Sequence, residues 1–436
     1  MQKNNICQTR QTCRICGGWD LKPVIRLGDQ YIASVFARDQ ADDRLRRPYP
    51  LELVRCDAPG GCGLVQLQHS IAPDVLYDAY GYRSGINEQM RRNLQTIAAA
   101  AETMTGLRPG DTVFDVGCND GTLLEAFNTG GIDRMGIDPA PNVVTLAREK
   151  GVEVICDFFS KSLYDAARPR VKAKVVTSIA MFYDLEDPNA FVREVAGLMA
   201  DDGVWVVEMV YLPFILQNNA FDTICHEHLG YYSLRQLEWL FQGQGLAIHD
   251  VELNIVNGGS IRLFVRKPAA GPVPEDTVRR LDRIRRNERA LALGSDAPYA
   301  VFCDAVCDIR DTLRALLARL HADGRTVYIY GASTKGNTIL QFCGIDRRWI
   351  PRAADRNPEK WTTLTPATGI EIISEKQARA EAPDYFLVLP WHFMEVFRSR
   401  EAAFLHRGGR FILPLPRVRI LGKDGYEEAA DIYPDL

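Results

Sequence analysis

Strand-length apolar runs alternate with helical stretches over the middle of the chain. The pattern predicts a helix over residues 87–105 and then five strands, at residues 112–116, 134–137, 152–155, 175–179 and 204–209. Strands that alternate with helices form parallel sheets in which the helices are the crossovers. This part of the chain is therefore predicted to be a doubly wound α/β domain.

A second strand–turn–helix arrangement follows a Pro- and Gly-rich segment at residues 267–274, which is typical of a linker. Charged helical sequence occupies residues 275–289 and 299–322. A strand at 326–330 then leads through a glycine turn at 331–336 into a helix, and further strands are expected at 353–354, 385–389 and 410–413. The predicted fold class is α/β, with two Rossmann-like doubly wound domains behind a small N-terminal lobe.

The N-terminal lobe is predicted from two spaced pairs of cysteines. Cys13 and Cys16 are separated by two residues, and Cys56 and Cys62 by five residues that include Pro and Gly. Thiolates bind zinc tetrahedrally, and four of them leave no open position, so this pattern indicates a closed, structural Zn²⁺ site. The alternative interpretation is four buried cysteines in a small apolar core.

Composition excludes several classes of protein. The 436 residues are 46% hydrophobic and 25% charged, with a net charge of −4, which predicts two or three soluble domains. The acidic balance argues against a nucleic-acid partner, and no apolar run is long enough for a membrane span. The N-terminus shows no signal-peptide pattern, and the paired cysteines favour a metal over disulfides. A cytoplasmic protein is expected, as a monomer or small homo-oligomer.

The first glycine turn is the most informative stretch. Asp115 stands near the end of an apolar strand, and Gly117, Cys118, Asn119 and Gly121 follow it into the next helix. A ligand would lie over the strand ends and the helix N-terminus. Two glycines at this spacing differ from the dinucleotide fingerprint. The turn resembles motif I of class I methyltransferases, in which carbonyls and amides hold the amino-acid end of S-adenosylmethionine.

Later strand ends agree with that cofactor. Asp138 ends the second strand, where a ribose diol needs an acceptor, and Asp157 follows the third, where it can accept from the adenine amino group. Phe158 can pack on the adenine ring, and Ser178, at the end of the fourth strand, belongs to the same predicted set. An acid at a strand end is often only a solvated cap. Together, however, the set favours S-adenosylmethionine over NAD.

A histidine-rich loop is the candidate for catalysis. His226, Glu227 and His228 stand together, after Cys225 and before a Tyr-Tyr-Ser run. Histidine suits general-base chemistry near neutral pH. The zinc-protease pattern, with its four-residue helical offset, is absent. The alternative is a hydrogen-bonded structural loop.

The second glycine turn has the features of a diphosphate site. Backbone amides, a helix dipole and one cation meet there, although the spacing is not that of a P-loop. The candidate substrate-binding residues of this turn and of the strand ends after it are Tyr330, Gly331, Ser333, Thr334, Lys335, Asn337, Asp355, Asn357, Trp391 and His392. The alternative is a degenerate Rossmann repeat that only packs against its neighbour.

Taken together and in order, these motifs resemble the zinc-containing nucleotide-sugar C-methyltransferases, which act on 4-keto-6-deoxyhexoses at C3. The resemblance extends over nearly the entire chain. It implies a zinc-binding lobe at residues 1–75, an S-adenosylmethionine-binding domain at 76–270 and, at 271–436, a Rossmann-like domain that holds the nucleotide sugar. The implied partner is a nucleotide-linked keto sugar.

The resemblance also implies a mechanism. A base removes a proton from the carbon beside the ketone, and the enolate carbon attacks the methyl group. His228 matches the position of the family's base, with Glu227 and His226 beside it. Tyr80 and Tyr82 match pocket tyrosines that can donate to the ketone oxygen as charge develops. Ordinary aromatic packing is the alternative for both tyrosines.

Some positions depart from the family pattern. Cys225 stands where better-known members carry a tyrosine, and Phe182 aligns with a histidine, so that Tyr183 is the nearest polar substitute. The acceptor is therefore open to alternatives. These are O- or N-methylation of a nucleotide sugar or other small metabolite, and a zinc-ribbon RNA methyltransferase.

Overall fold

Residues 6–36, 47–77 and 81–429 are described by the computed structural model of the chain, and within these ranges the strands form four sheets. The N-terminal region contains β1 (Cys7–Thr9), β2 (Leu21–Gln30), β3 (Tyr49–Cys56), β4 (Val65–Leu67), β5 (His69–Ile71) and the short helix α1 (Pro73–Leu76). Strands β2, β3 and β4 are antiparallel neighbours, and β1 pairs with β5.

The central region holds the first Rossmann-like unit. Its elements are α2 (Glu88–Thr105), β6 (Thr112–Val116), α3 (Thr122–Glu125), β7 (Asp133–Ile137), α4 (Pro141–Glu149), β8 (Glu153–Ile155), α5 (Lys161–Ala167), β9 (Ala173–Ile179), α6 (Pro188–Leu198), β10 (Met199–Val210), α7 (Leu212–Gln217), β11 (Gly230–Tyr231), α8 (Leu234–Gln242), β12 (Ala247–Asn254) and β13 (Ser260–Arg266). The seven-stranded sheet has the order β12-β13-β10-β9-β6-β7-β8. The order reverses between β6 and β9, and ligands bind at such a switch point.

The predicted elements of this sheet are present with small shifts of their ends, except that β10 begins at Met199 rather than at residue 204. Helix α2 begins one residue late because Asn87 is its N-cap, and the Asn87 side chain accepts a hydrogen bond from the Gln89 amide at 2.9 Å. Strands β12 and β13 differ from the expected parallel pattern, since both are antiparallel to their neighbours. The short 3₁₀ turn Val256–Gly258 joins them directly, as only antiparallel strands allow.

The C-terminal region holds the second Rossmann-like unit. Its elements are α9 (Glu275–Ala290), α10 (Ala297–Ala322), β14 (Val327–Tyr330), α11 (Thr334–Cys343), β15 (Arg352–Asp355), β16 (Glu371–Ser374), α12 (Glu375–Glu381), β17 (Tyr385–Val388), α13 (Met394–Arg400), α14 (Ala402–His406), β18 (Arg410–Leu413), β19 (Arg419–Gly422) and β20 (Gly425–Glu428). The sheet order β16-β15-β14-β17-β18-β19-β20 reverses between β14 and β17. The predicted fold class is thus confirmed. Among the described residues, no helix combines the length and apolarity needed to cross a membrane.

One strand of the N-terminal sheet comes from far along the chain. Strand β11 pairs with β4, so that Gly230 lies opposite Gln66 and Tyr231 opposite Val65. The Leu67 amide also donates to the Leu229 carbonyl at 3.0 Å. The segment that immediately follows the His-Glu-His run is therefore an edge strand of the lobe.

A buried ion pair fastens α2 to the central sheet. The Arg262 and Glu208 side chains are 5% and 3% exposed, and Nε of Arg262 donates to Oε2 of Glu208 at 2.7 Å. The Asn93 side chain, on α2, donates to the other oxygen of Glu208 at 2.6 Å and accepts from Arg262 at 2.7 Å. Every group of this network has a partner, as buried charges require.

Glu208→Ala is expected to lower the free energy of unfolding by about 3–5 kcal/mol, because it leaves the Arg262 guanidinium buried without its counter-ion. Urea unfolding followed by circular dichroism measures the change. The control is Asp202→Ala, on the same strand, which breaks an exposed pair with Lys174 and should cost less than about 1 kcal/mol. Equal losses for the two variants would contradict this account of the network.

Candidate active site

A cavity of about 760 Å³ lies where the N-terminal lobe, the central sheet and the second glycine turn meet. Its wall includes Ser34 and Ile71 from the lobe and Met90 from α2. The strand ends of both Rossmann-like units also open onto it. Most of the residues singled out from the sequence either line this cavity or lie directly behind its wall.

The first glycine turn forms one end of the cavity. Gly117 has φ +74°, and a Cβ there would lie 3.0 Å from Cγ of Met181, so the turn needs glycine for both conformation and space. The Asn119 amide donates to Oδ2 of Asp138 at 2.9 Å. Asp138, which follows β7, therefore holds in place the glycine turn that follows β6. Gly121, with φ +73°, precedes α3 and packs against Ala147 behind the wall.

Two buried carboxyl groups stand at this end of the cavity. Asp115 accepts a hydrogen bond from the Thr177 hydroxyl at 2.6 Å, and burial raises the pKa of Asp115 to about 7. Burial likewise raises the pKa of Asp138, although the Ala140 amide donates to it at 2.9 Å. A cationic ligand would reduce the cost of ionising both groups.

The remaining predicted cofactor residues separate into two groups. Cys118, Asp157 and Phe158 line the cavity, and the Phe158 ring is 45% exposed there. Ser178 is not part of the lining, whereas the next residue, Ile179, is. The Ser178 hydroxyl instead accepts from the Trp205 indole at 3.2 Å within the core.

His228 lines the middle of the cavity in one defined tautomer. Its Nδ1 lies 2.7 Å from the Thr223 carbonyl, which can only accept, so Nδ1 carries the hydrogen and Nε2 keeps its lone pair. Burial and, to a smaller degree, the charge of Lys335 lower the pKa of His228 to about 3. The ring is therefore neutral and able to accept a proton at Nε2.

Glu227 also lines the cavity and is only 5% exposed. Neither of its carboxylate oxygens has a hydrogen-bond partner within the described part of the chain. Cys225 lies beside it, and burial, together with the charge of Glu227, raises the pKa of the Cys225 thiol. A buried carboxylate in this condition is suited to accept hydrogen bonds from a ligand.

His226 lies outside the cavity lining. Its Nε2 is 3.2 Å from the Tyr49 carbonyl of β3, and its ring meets the Tyr49 ring edge-on at 6.2 Å. Burial lowers the pKa of His226. The structure therefore separates the two histidines: His228 borders the cavity, whereas His226 fastens the loop to the N-terminal lobe.

Aromatic residues complete this part of the wall. Tyr82 lines the cavity and is 40% exposed, whereas Tyr80 lies outside the described residues. The Tyr183 ring lines the cavity 4.3 Å from the His228 ring. Phe182 instead packs in the core against Trp205, at 5.9 Å between ring centres.

The second glycine turn forms the opposite end of the cavity. Gly331, Ser333, Thr334 and Lys335 line it at the N-terminus of the ten-residue helix α11. The cavity residues from the neighbouring strand ends are Asp355, Asn357 and His392. The Ser333 hydroxyl caps α11 by accepting from the Gly336 amide at 3.1 Å. Free amides at such a helix start can hold an anion.

Three other residues predicted for this end are outside the cavity lining. The Tyr330 hydroxyl donates to Glu401 at 2.7 Å. The Asn337 side chain donates to the Ala33 carbonyl of the lobe at 2.7 Å, and the Trp391 indole donates to Asp222 of the central region at 3.0 Å. Asn337 and Trp391 thus connect regions of the chain.

Five charged residues of the cavity were not singled out from the sequence: Arg83, Asp184, Glu186, Asp222 and Lys360. Lys360 donates to the Ala332 carbonyl of the second glycine turn at 2.8 Å and lies 4.3 Å above the Phe36 ring. Arg83 forms an ion pair with Glu359, the residue that precedes Lys360 in the chain. Each lies close to a motif in the sequence, but an isolated charged residue has no spacing or periodicity that would mark it as a site residue.

The four lobe cysteines form one cluster in which all sulfurs lie within 4.8 Å of one another. Sγ of Cys13 is 3.4 Å from that of Cys62, and Sγ of Cys16 is 3.5 Å from that of Cys56. A Cβ on Gly61 would lie 3.0 Å from the Cys56 sulfur, so glycine leaves the room that the thiolates need. The donor set fits one structural zinc ion, as predicted.

Three family models match successive parts of the chain. One described as "Putative zinc binding domain" matches residues 13–77, one described as "Methyltransferase domain" matches 82–251, and one described as "C-methyltransferase C-terminal domain" matches 255–416. Their order is that of the lobe, the central sheet and the C-terminal sheet.

Similar proteins are methyltransferases. C-methyltransferase NovU of Streptomyces niveus is 34% identical over 421 residues, which cover 96% of this chain and 99% of NovU. The ubiquinone biosynthesis O-methyltransferase of Bordetella avium (strain 197N) is 33% identical over 108 residues, 24% of this chain and 44% of that protein. Magnesium protoporphyrin IX methyltransferase from Synechocystis PCC 6803, solved with S-adenosylmethionine, is 15% identical over 41% of this chain and 79% of its own, with a TM-score of 0.31.

Cys56→Ser is expected to reduce bound zinc from about one ion per chain to near zero and to lower the melting temperature, because a closed four-thiolate site contributes to folding. Metal analysis and thermal unfolding measure the two effects. Cys7→Ser is the matched control, since Cys7 lies on β1 outside the cluster. A Cys56 variant without metal that melts like the unaltered protein would exclude a structural role.

Proposed function

This chain belongs to the C-methyltransferase family that includes NovU and is an S-adenosylmethionine-dependent methyltransferase with a zinc-binding lobe, and from that premise we propose that it methylates C3 of a nucleotide-linked 4-keto-6-deoxy sugar. One observation carries the proposal. The first glycine turn, the His228–Glu227 pair and the second glycine turn border a single cavity. Cofactor, base and acceptor can therefore meet there.

The distribution of charge along the cavity supports an anionic acceptor. Asp115, Asp138 and Asp157 stand at the first glycine turn, where S-adenosylmethionine would bring positive charge. The cationic side chains of the wall are Arg83, Lys335 and Lys360; Arg83 pairs with Glu359 and Lys360 lies 3.9 Å from Asp355. Lys335 and the start of α11 together fit a diphosphate.

In the proposed reaction, Nε2 of His228 removes the proton from C3 of the sugar. The electrons of that C–H bond pass to the C4 ketone oxygen, which becomes an enolate oxygen, and Tyr82 can donate to it. Held at the first glycine turn, S-adenosylmethionine would supply the electrophilic methyl group for C3, with its sulfur as the leaving group. The Thr223 carbonyl, which accepts from Nδ1 of His228 at 2.7 Å, stabilises the imidazolium that results.

The low pKa of His228 has a consequence for this mechanism. The positive charge of Lys335 is one cause of the lowering, and an anion bound at Lys335 would offset that charge. We infer that binding of the diphosphate raises the basicity of His228 in the complex. Proton removal is then coupled to correct occupation of the second glycine turn.

Under the same proposal, each region of the chain has its own role. Residues 1–75 fix the base loop, residues 76–270 hold S-adenosylmethionine, and residues 271–436 hold the nucleotide part of the acceptor. The contacts of Asn337 with the lobe and of Trp391 with Asp222 would keep the three regions in register around one ligand.

Methylation of carbon has a direct isotopic test. The protein is incubated with S-adenosylmethionine and a panel of nucleoside-diphosphate 4-keto-6-deoxysugars carrying deuterium at C3 or at C5, the two acidic carbons that flank the ketone. We expect a product heavier by one CH₂ group that has lost the C3 label. Loss of the C5 label alone would move the reaction to C5, and retention of both labels would indicate O- or N-methylation.

His228→Asn is expected to reduce turnover by about 10²-fold or more, since a positioned general base contributes about that factor, and to leave S-adenosylmethionine binding near normal. Stopped assays and calorimetry measure the two quantities. His406→Asn, at an exposed site at the end of α14, is the matched control. Full activity of the His228 variant would show that another group is the base.

A further inference from the structure

The Asp222 carboxylate borders the cavity and has one oxygen that accepts no hydrogen bond within the described residues. The residue lines the cavity and is 2% exposed, and its Oδ2 accepts from the Trp391 indole at 3.0 Å. Its Oδ1 is buried and has no hydrogen-bond partner among the described residues. A buried acceptor left in this state is costly, and a ligand donor removes the cost.

Asp222 is held rigidly next to the base. It lies in the 3₁₀ turn Phe221–Thr223, and the Thr223 carbonyl is the partner of Nδ1 of His228. Helix α11 supports the same segment, because the Thr338 hydroxyl donates to the Ile224 carbonyl at 3.0 Å. The free oxygen therefore has a fixed position relative to the atom that would take the proton.

We propose that Asp222 is a specificity-determining residue whose Oδ1 accepts a hydrogen bond from a hydroxyl group on C2 or C3 of the acceptor sugar. The inference rests on the proposed function, because it takes the acceptor to be a keto sugar. Lys335, the cation that also borders this part of the cavity, directs its ammonium toward the Asn257 carbonyl at 3.4 Å. The oxygen of Asp222 is thereby left for the sugar.

The test is a cycle of enzyme and substrate changes. The unaltered protein and Asp222→Asn are each assayed for kcat/KM on the best nucleoside-diphosphate 4-keto-6-deoxyhexose and on its 2-deoxy and 3-deoxy analogues. Asparagine keeps the shape and an acceptor for Trp391, but it offers the sugar a neutral N–H donor in place of a charged acceptor, so the charge-assisted bond is lost. We expect a loss of about tenfold or more on the parent sugar and of less than about threefold on one deoxy analogue.

Equal losses on all three sugars, or no loss on any, would overturn the role of Asp222 and leave the proposed function standing. Failure of the unaltered protein to methylate any keto sugar would instead overturn the proposed function and this inference with it. Asp311→Asn, an exposed site on α10, is the control for the substitution itself. Should Asp222→Asn not fold, Trp391→Phe tests the same discrimination, because it removes only the bond that orients Asp222.

Discussion

The pairing of β11 with β4 is the contact on which the active site depends. It makes the segment after His228 an edge strand of the lobe, with Tyr231 opposite Val65. Strand β4 follows Cys62, and β3 ends at Cys56, so the metal cluster and the base loop belong to one small sheet. A short two-residue strand contributes little stability alone. The His226–Tyr49 contact and the Gln236 side chain, which donates to the Cys62 carbonyl at 2.7 Å, add to the pairing.

The charge of Lys335, at one end of the cavity, acts on titratable groups of the central region. Lys335, on α11, is close enough to lower the pKa of His228, and the same cation opposes the burial that raises the pKa of Asp222. One charge from the C-terminal unit thus acts on groups of the central unit. An anionic ligand would alter both at once, and under the proposed function the second Rossmann-like unit would then act in the chemistry as well as in binding.

Local pattern predicted the sheet elements and the two glycine turns because these depend on residues adjacent in sequence, such as Gly117 and Asp115. Pairings between distant segments, above all β11 with β4, leave no such signal. Within the motifs, pattern also could not tell which side of a strand a residue faces. Ser178 and Tyr330 point into the core from strands whose ends do border the cavity. Asp222 and Lys360 belong to no periodic pattern or spaced motif, so nothing in the sequence marked them as site residues.

The two departures from the family pattern have different consequences. Phe182 is fully buried against Trp205 and Tyr232, so an aromatic residue there changes the core rather than the ligand surface. Cys225 borders the cavity beside Glu227, and a thiol in place of a tyrosine frees space and removes a hydroxyl donor. Tyr183, whose ring is tilted against the His228 ring, stands on the same wall. Of the two departures, only Cys225 borders the cavity, so a difference in acceptor recognition would originate there rather than at Phe182.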